Sequence, residues 1–236
     1  EGVTTLKMDA FVYCESLEYV TLPTTLTTID WMVFFHCESL KEIDLSYVTS
    51  LSLQAFAGCA ALEKVTLSEN LKTIRFLTFK DCVSLKSIVI PDSVTGIAEG
   101  AFSGCTALEE VVFGKGVEGI DKEAFAGCTA LTRLTFPAAL EELGESLAAG
   151  SGLKELTFLG NAPEFKEDTF SGVTATAYYP AGDTTWTEDV RQNYGGTITW
   201  KTSINCDEGH IFDETTHICP GCGLIGGTCG TDLEWT

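Results

Sequence analysis

The chain has 236 residues, 44% of them hydrophobic, and a formal net charge of −20. That is enough apolar material for a substantial core, and a field of that sign opposes nucleic acid and anionic lipid surfaces. It favours cationic or calcium-bridged partners instead. No apolar run approaches the ~18 to 20 residues of a membrane helix, so no membrane insertion is expected. The chain opens at Glu1 without an initiating Met or a signal peptide, which reads as a mature or excised fragment.

A phrase recurs every 22 or 23 residues from the start of the chain: Phe-x-x-Cys-x-x-Leu-x-x-Val-x-Leu. Its Phe place is held by Phe11, Phe34, Phe56, Phe79, Phe102, Phe125, Leu147 and Phe170. Three residues on come Cys14, Cys37, Cys59, Cys82, Cys105 and Cys128, with Gly150 and Val173 in the last copies. Leu17, Leu40, Leu62, Leu85, Leu108, Leu131 and Leu153 follow. A fixed period of this length with a Leu-x-x-hydrophobic-x-Leu centre predicts a stacked solenoid of leucine-rich repeats.

The copy around Cys82 shows the physics of one unit. Leu85, Ile88 and Ile90 have the spacing that sends Ile88 and Ile90 to one face of a short strand, with Ser87 and Val89 on the other. Pro91 has no N–H to give the ladder and helps stop the strand, as Pro23, Pro137 and Pro180 do in their copies. Val94 and Ile97 return to the core on the far side, and Gly58, Gly104, Gly127 and Gly172 mark a tight turn before the Cys column. At roughly 4.8 Å per strand, eight copies make a parallel sheet about 35 Å long. Each copy contacts only its neighbours, so stability is a sum over interfaces.

The repeat cysteines read as small buried hydrophobes that fill a turn, not as a redox or metal ladder. His36 shares its place with Tyr13, Gly58, Asp81 and Gly104 and reads as a solvated turn residue.

The stretch Ile97, Ala101, Phe102, Gly104, Cys105, Leu108 and Val111 resembles the BspA-like, Treponema-type leucine-rich repeat almost position by position, as does Ile120, Ala124, Phe125, Gly127, Cys128 and Leu131. The resemblance covers residues 1 to about 200. It implies a secreted or cell-surface protein without catalytic activity, with adhesion to host matrix or other bacterial surface proteins as the family's suggested role. The closing segment around residues 157–200 is similar to the ends of such proteins from gut Firmicutes. The fold class expected is α/β: a leucine-rich-repeat solenoid over residues 1–158, a last repeat and C-terminal cap over 159–200, and a small Cys-rich tail over 201–236.

Within the closing segment, Thr185-Trp186-Thr187-Glu188 has the spelling of a capping box and predicts a short helix through Gln192, ended by Gly195 and Gly196. Thr197 to Trp200 reads as a final strand. Tyr178, Tyr179, Trp186, Tyr194 and Trp200 form the densest aromatic cluster. They read as a cap core that covers the open end of the stack, with a sugar-stacking platform as the alternative.

The tail holds Cys206-x3-His210 and then Cys219-Pro-Gly-Cys222. Two such pairs suit a tetrahedral structural Zn²⁺ with Cys206, His210, Cys219 and Cys222 as ligands, and His217 and Cys229 as substitutes. Disulfides and an exposed reduced tail are the other readings. The final residues, GGTCGTDLEWT, are similar to the opening of a following β-rich module.

No catalytic spelling occurs: no G-x-S-x-G, H-E-x-x-H, P-loop or dinucleotide fingerprint. Function is therefore expected on a surface, the concave sheet of the solenoid. Its outward residues fall in two columns. The first contains Tyr19, Glu42, Lys64, Ser87, Glu110, Arg133 and Glu155; the second contains Thr21, Asp44, Thr66, Val89, Val112, Thr135 and Thr157. Val89 and Val112 form an apolar centre with a charged and Thr-rich rim, the anatomy of a protein interface. The chain is expected to act as a monomer that binds a protein ligand at the cell surface. A carbohydrate-binding module and a passive spacer are the rival roles.

Overall fold

The computed structural model describes residues 2–205, 211–213, 227–228 and 234–235. The chain winds about nine turns of a parallel-strand solenoid. Each turn contributes a short strand to one or both of two faces. The first face holds β3 (Glu42–Asp44), β5 (Lys64–Thr66), β7 (Ser87–Val89), β9 (Glu110–Val112), β11 (Arg133–Phe136), β13 (Glu155–Phe158), β15 (Thr174–Pro180) and β16 (Thr197–Asn205). The second face holds β1 (Thr5–Leu6), β2 (Thr28–Ile29), β4 (Ser50–Leu51), β6 (Thr73–Ile74), β8 (Gly96–Ile97), β10 (Gly119–Ile120), β12 (Glu142–Leu143) and β14 (Glu164–Phe165). Paired strands within these faces run parallel, with matching places of successive copies in register, such as Ile88 opposite Val111 and Ile97 opposite Ile120.

The Phe column forms the spine of the core. Rings of Phe11, Phe34, Phe56, Phe79, Phe102 and Phe125 stack at 5.2 to 5.6 Å, with neighbouring planes within 11° of parallel. Beside it runs a thiol ladder. The Sγ of Cys37, Cys59, Cys82, Cys105 and Cys128 each donates to the Phe carbonyl of the preceding copy at 3.1 to 3.3 Å. These thiols are buried and free. Burial pushes Cys37 up to about 11 and Cys128 up to about 12. Burial in this way favours the neutral thiol.

Two corrections to the sequence reading concern the repeat itself. No α-helix occurs among the described residues, so the fold is all-β and not α/β. The reason lies in the links between strands. The first seven copies visit the left-handed region twice, two residues before the Phe place (Asp9, Met32, Gln54, Leu77, Gly100, Glu123, Ser146) and two residues after it (Tyr13, His36, Gly58, Asp81, Gly104, Gly127, Gly150), and the Phe170 copy once, at Gly172. A right-handed helix cannot run through such residues. The same marks reset the seventh copy. Ser146 and Gly150 bracket position 148, so Ala148 holds the Phe place and Ser151 the Cys place. The bond from Ser151 N–H to the Ala148 carbonyl repeats that from Cys128 to Phe125. Leu147 is buried one place earlier, and Gly150 is a turn residue. The missing ring is made good from the strand ends, where Phe136 and Phe158 stack at 4.9 Å.

The helix expected from Thr185 is a pair of tight turns. Thr185 Oγ1 accepts the Ala162 N–H of the preceding coil and donates to Asp183, so the capping oxygen is engaged elsewhere. So short a helix is marginal without that cap. The final strand, β16, runs well past Trp200. It pairs in parallel with β15 through the 200/201 position, with Lys201 opposite Tyr178 and Ser203 opposite Pro180. A further strand, β17 (Ile211–Asp213), pairs antiparallel to its end, and β18 (Gly227–Thr228) pairs antiparallel to β19 (Glu234–Trp235).

The aromatic residues of the closing segment pack together. Trp186 lies between Phe158 at 4.9 Å and Tyr179 at 5.4 Å, and Trp200 lies 5.6 Å from Trp186. Both indole N–H groups donate to backbone carbonyls, Trp186 to Gly160 and Trp200 to Gln192, each at 3.0 Å. Trp186 is buried and its polar atom is occupied.

Candidate functional surface

The first face presents the two columns read from the sequence. Tyr19, Glu42, Asp44, Lys64, Thr66, Val89, Glu110, Val112 and Arg133 are all exposed. Strand pleating explains this. In β7 and β9 the central Ile88 and Val111 point inward, so their neighbours on either side point out. Register sets Glu42 beside Lys64, Asp44 beside Thr66, and Val89 beside Val112. Charge alternates along the first column, from Glu42 and Lys64 to Glu110, Arg133 and Glu155. Cross-strand neighbours of opposite sign stabilise the sheet by a few tenths of a kcal/mol to ~1 kcal/mol each.

Local chemistry differs along the face. Near the first copies, Lys41 Nζ lies 2.7 Å from Glu18 and 5.1 Å from the centre of the Tyr19 ring. Asp44 accepts from both the N–H and the hydroxyl of Ser46, which holds its carboxyl below the usual range. Glu155 at the other end is half-buried, and desolvation raises its carboxyl against the opposing pull of Arg133. Thr157 continues the second column but is 3% exposed, so the open face ends there. At the centre, Val89 is 63% exposed and Val112 45%, an adjacent and open apolar pair. Two hollows flank the pair. One of about 350 Å³ lies among Glu42, Asp44, Tyr47, Lys64 and Thr66. The other, about 1080 Å³, lies among Glu110, Val112, Phe113, Arg133 and Leu159.

His36 sits in a left-handed turn, as its column requires, but it is half-buried. Its ring stacks on Tyr13 at 5.4 Å, and its Nδ1 is 3.3 Å from Glu38. No group of three or more His, Cys, Asp or Glu placed to hold a metal occurs among the described residues. Cys206, His210, Cys219 and Cys222 lie outside them, as do His217 and Cys229.

The sequence reading passed over a second surface. Met8, Trp31, Leu53 and Phe76 all stand three residues before the Phe place and are all exposed. Leu53 and Phe76 border a hollow of about 750 Å³ on the second face, and Met8 and Trp31 continue their column beyond it. Aligning this column across copies is the signal that finds it, because the same place turns to Glu99, Lys122 and Glu145 further along.

The family described as "BspA type Leucine rich repeat region" matches the chain in six copies, over residues 1–106 and 49–177. Among solved structures, a leucine-rich repeat protein of Treponema pallidum is 31% identical, with a TM-score of 0.58 and coverage of 72% of this chain and 76% of that one. A leucine-rich repeat protein of Bacteroides ovatus is 22% identical, with a TM-score of 0.64. That match covers 85% of this chain but 60% of the Bacteroides protein. One from Eubacterium ventriosum is 24% identical with a TM-score of 0.61, matching 64% of this chain and 41% of that one. The chain thus spans less than two thirds of each of these last two relatives, whose likeness speaks for the fold alone. No protein with a curated description matches.

Proposed function

The chain belongs to the BspA-type leucine-rich repeat family, and for it we propose a non-catalytic role in which the first face of the solenoid binds a protein partner outside the cell. The observation that carries this is the Val89–Val112 pair. Two large apolar side chains lie in register at the middle of a rigid sheet, more than 40% exposed each, within a rim of Thr and alternating charge. An apolar centre with a polar rim suits a protein interface of modest size. The rigid ladder adds to this, since a preorganised surface loses little entropy on binding. The face's carboxylates are spread along a sheet and interleaved with Lys64 and Arg133, which favours binding over catalysis. Extracellular or cell-surface location is part of the same reading, with host matrix proteins or bacterial surface proteins as partners. Among the described residues no helix is long and apolar enough to cross a membrane.

The test is a double substitution, Val89→Lys with Val112→Glu, screened against a panel of matrix and bacterial surface proteins. Opposite charges across the strands avoid a like-charge clash. Exposed substitutions of this kind change stability by about 0.5 kcal/mol, or roughly 2 °C in Tm for a chain of this size. Binding lost with Tm retained is the expected outcome. Binding equal to the wild type, or no binder at all, removes the proposal.

A further inference from the structure

The second face carries a groove that the first-face reading does not use. In chain order its outward strand residues are Ser50, Thr73, Gly96, Gly119, Glu142 and Glu164. The floor is lowest at Gly96 and Gly119, which lie side by side in register. These two glycines differ from all others in residues 2–205. Every other one either has a left-handed φ or lies where an added Cβ would strike backbone at 2.6 Å or less. Gly96 and Gly119 have neither constraint. A Cβ at Gly96 would meet only the Thr73 methyl, at an ordinary 3.9 Å. At Gly119 the nearest atoms would belong to the flexible Glu142 side chain, at 3.3 and 3.4 Å. Folding therefore does not call for glycine at either place, and glycine within a strand weakens it by about 0.5 to 1 kcal/mol relative to Ala. A strand glycine often marks a bulge, a bend or a close approach by a ligand or another backbone, and the unbroken parallel register of Gly96 and Gly119 favours the last.

The groove is apolar at one end and acidic at the other. Leu53 and Phe76 line one end and are 39% and 37% exposed, with Trp31 and Met8 prolonging the apolar stripe. Glu118, Asp121, Glu141 and Glu142 line the other. Among the described residues none of these four carboxylates has a cation within ion-pair distance; Lys122 pairs with Glu123 and Glu145, and Lys166 pairs with Glu164 and acts on Glu142 only from further off. Arg75, the one cation in the lining, stands at the apolar end. From the rung of Leu53 to that of Glu164 there are five strand spacings, or roughly 24 Å. An extended peptide covers that length with about seven residues at ~3.3 Å each.

We propose that the second face binds an extended cationic peptide segment, laid across the rungs over Gly96 and Gly119. Its apolar residues rest on Phe76 and Leu53, and its Lys or Arg side chains reach Glu118, Asp121, Glu141 and Glu142. The segment crosses the strands and adds no strand to them, so recognition comes from the floor's closeness and from charge.

A fluorescent peptide of about seven residues serves as the probe, with Phe and Leu at one end and lysines at the other. Anisotropy at low salt should show binding by the wild type, weakened about tenfold or more by raised ionic strength, as opposed charges demand. Gly96→Val should abolish it while Tm stays level or rises, because Val suits a strand better than Gly. Glu142→Lys should weaken binding by about tenfold, which serves if the valine variant folds poorly. The Val89→Lys/Val112→Glu protein should bind the probe as the wild type does, since those residues lie on the other face. The proposal fails if the wild type ignores the probe, if Gly96→Val binds it equally, or if a peptide with glutamates for lysines binds as well.

Discussion

Replacing Phe102 with Ala tests the stacking logic at its centre. The ring is fully buried and lies 5.5 Å from Phe79 on one side and 5.5 Å from Phe125 on the other, nearly parallel to both. Phe→Ala in a core costs about 3 to 5 kcal/mol, the spread reflecting how far the site can collapse. Here it cannot collapse far. The rungs on both sides are held apart by backbone bonds, Phe79 N–H to the Ala101 carbonyl at 2.8 Å and Phe102 N–H to the Ala124 carbonyl at 2.9 Å. Two aromatic pairs are lost as well, each about 0.5 to 1.5 kcal/mol beyond area. The upper half of the range, about 4 to 5 kcal/mol, is expected. Urea unfolding reads the total, and hydrogen exchange reads where it falls. Because each copy contacts only its neighbours, protection should drop most in the copies of Phe79, Phe102 and Phe125 and least near Phe34. A loss below about 1.5 kcal/mol, or protection lost evenly along the chain, would refute the reasoning.

Two further outcomes follow from the cysteines. Cys128 titrates near 9.0 when unfolded but is pushed up to about 12 in the fold, chiefly by desolvation. The unfolded chain therefore loses this proton first, and stability is complete below pH 9 and falls as pH rises towards 12. The slope is about 1.4 kcal/mol per pH unit for each such thiol. Cys128→Ser should flatten the decline measured by alkaline urea titration, and an unchanged slope would show that the thiol is not buried as described. For the tail, elemental analysis with thiol counting is expected to find about one zinc per chain, removable by chelation. Four oxidised tail thiols and no metal would overturn that reading.

Much of this architecture is written in the sequence because a solenoid repeats one environment. Phe102 and Cys105 are conspicuous there for the reason that they pack: every copy meets the same neighbours, so the same residue recurs at the same place. The slip at Leu147 shows the limit of that signal. Leu147 is buried and hydrophobic, so it fits a hydrophobic column as well as Ala148 does. The true register is carried by backbone conformation, by Ser146 and Gly150 in the left-handed region, and hydrophobicity says nothing about φ. The expected helix at Thr185 failed for a related reason. Its cap spelling is sound, but the hydroxyl is taken by Ala162, more than twenty residues away in sequence. Tertiary partners of a polar atom leave no trace in a local pattern.

The two faces differ in legibility by the same physics. On the first face, inward and outward residues alternate within three- or four-residue strands, so Val89 and Val112 could be placed outside from spacing alone. On the second face each strand is two residues long, too short to show alternation. Its distinguishing residues, Gly96 and Gly119, are those with least side chain to read. Only the surroundings of the missing Cβ reveal that nothing in the fold asks for glycine there. An unexplained absence of side chain, repeated on adjacent rungs between an apolar end and an acidic one, is the ground on which a binding floor is proposed there.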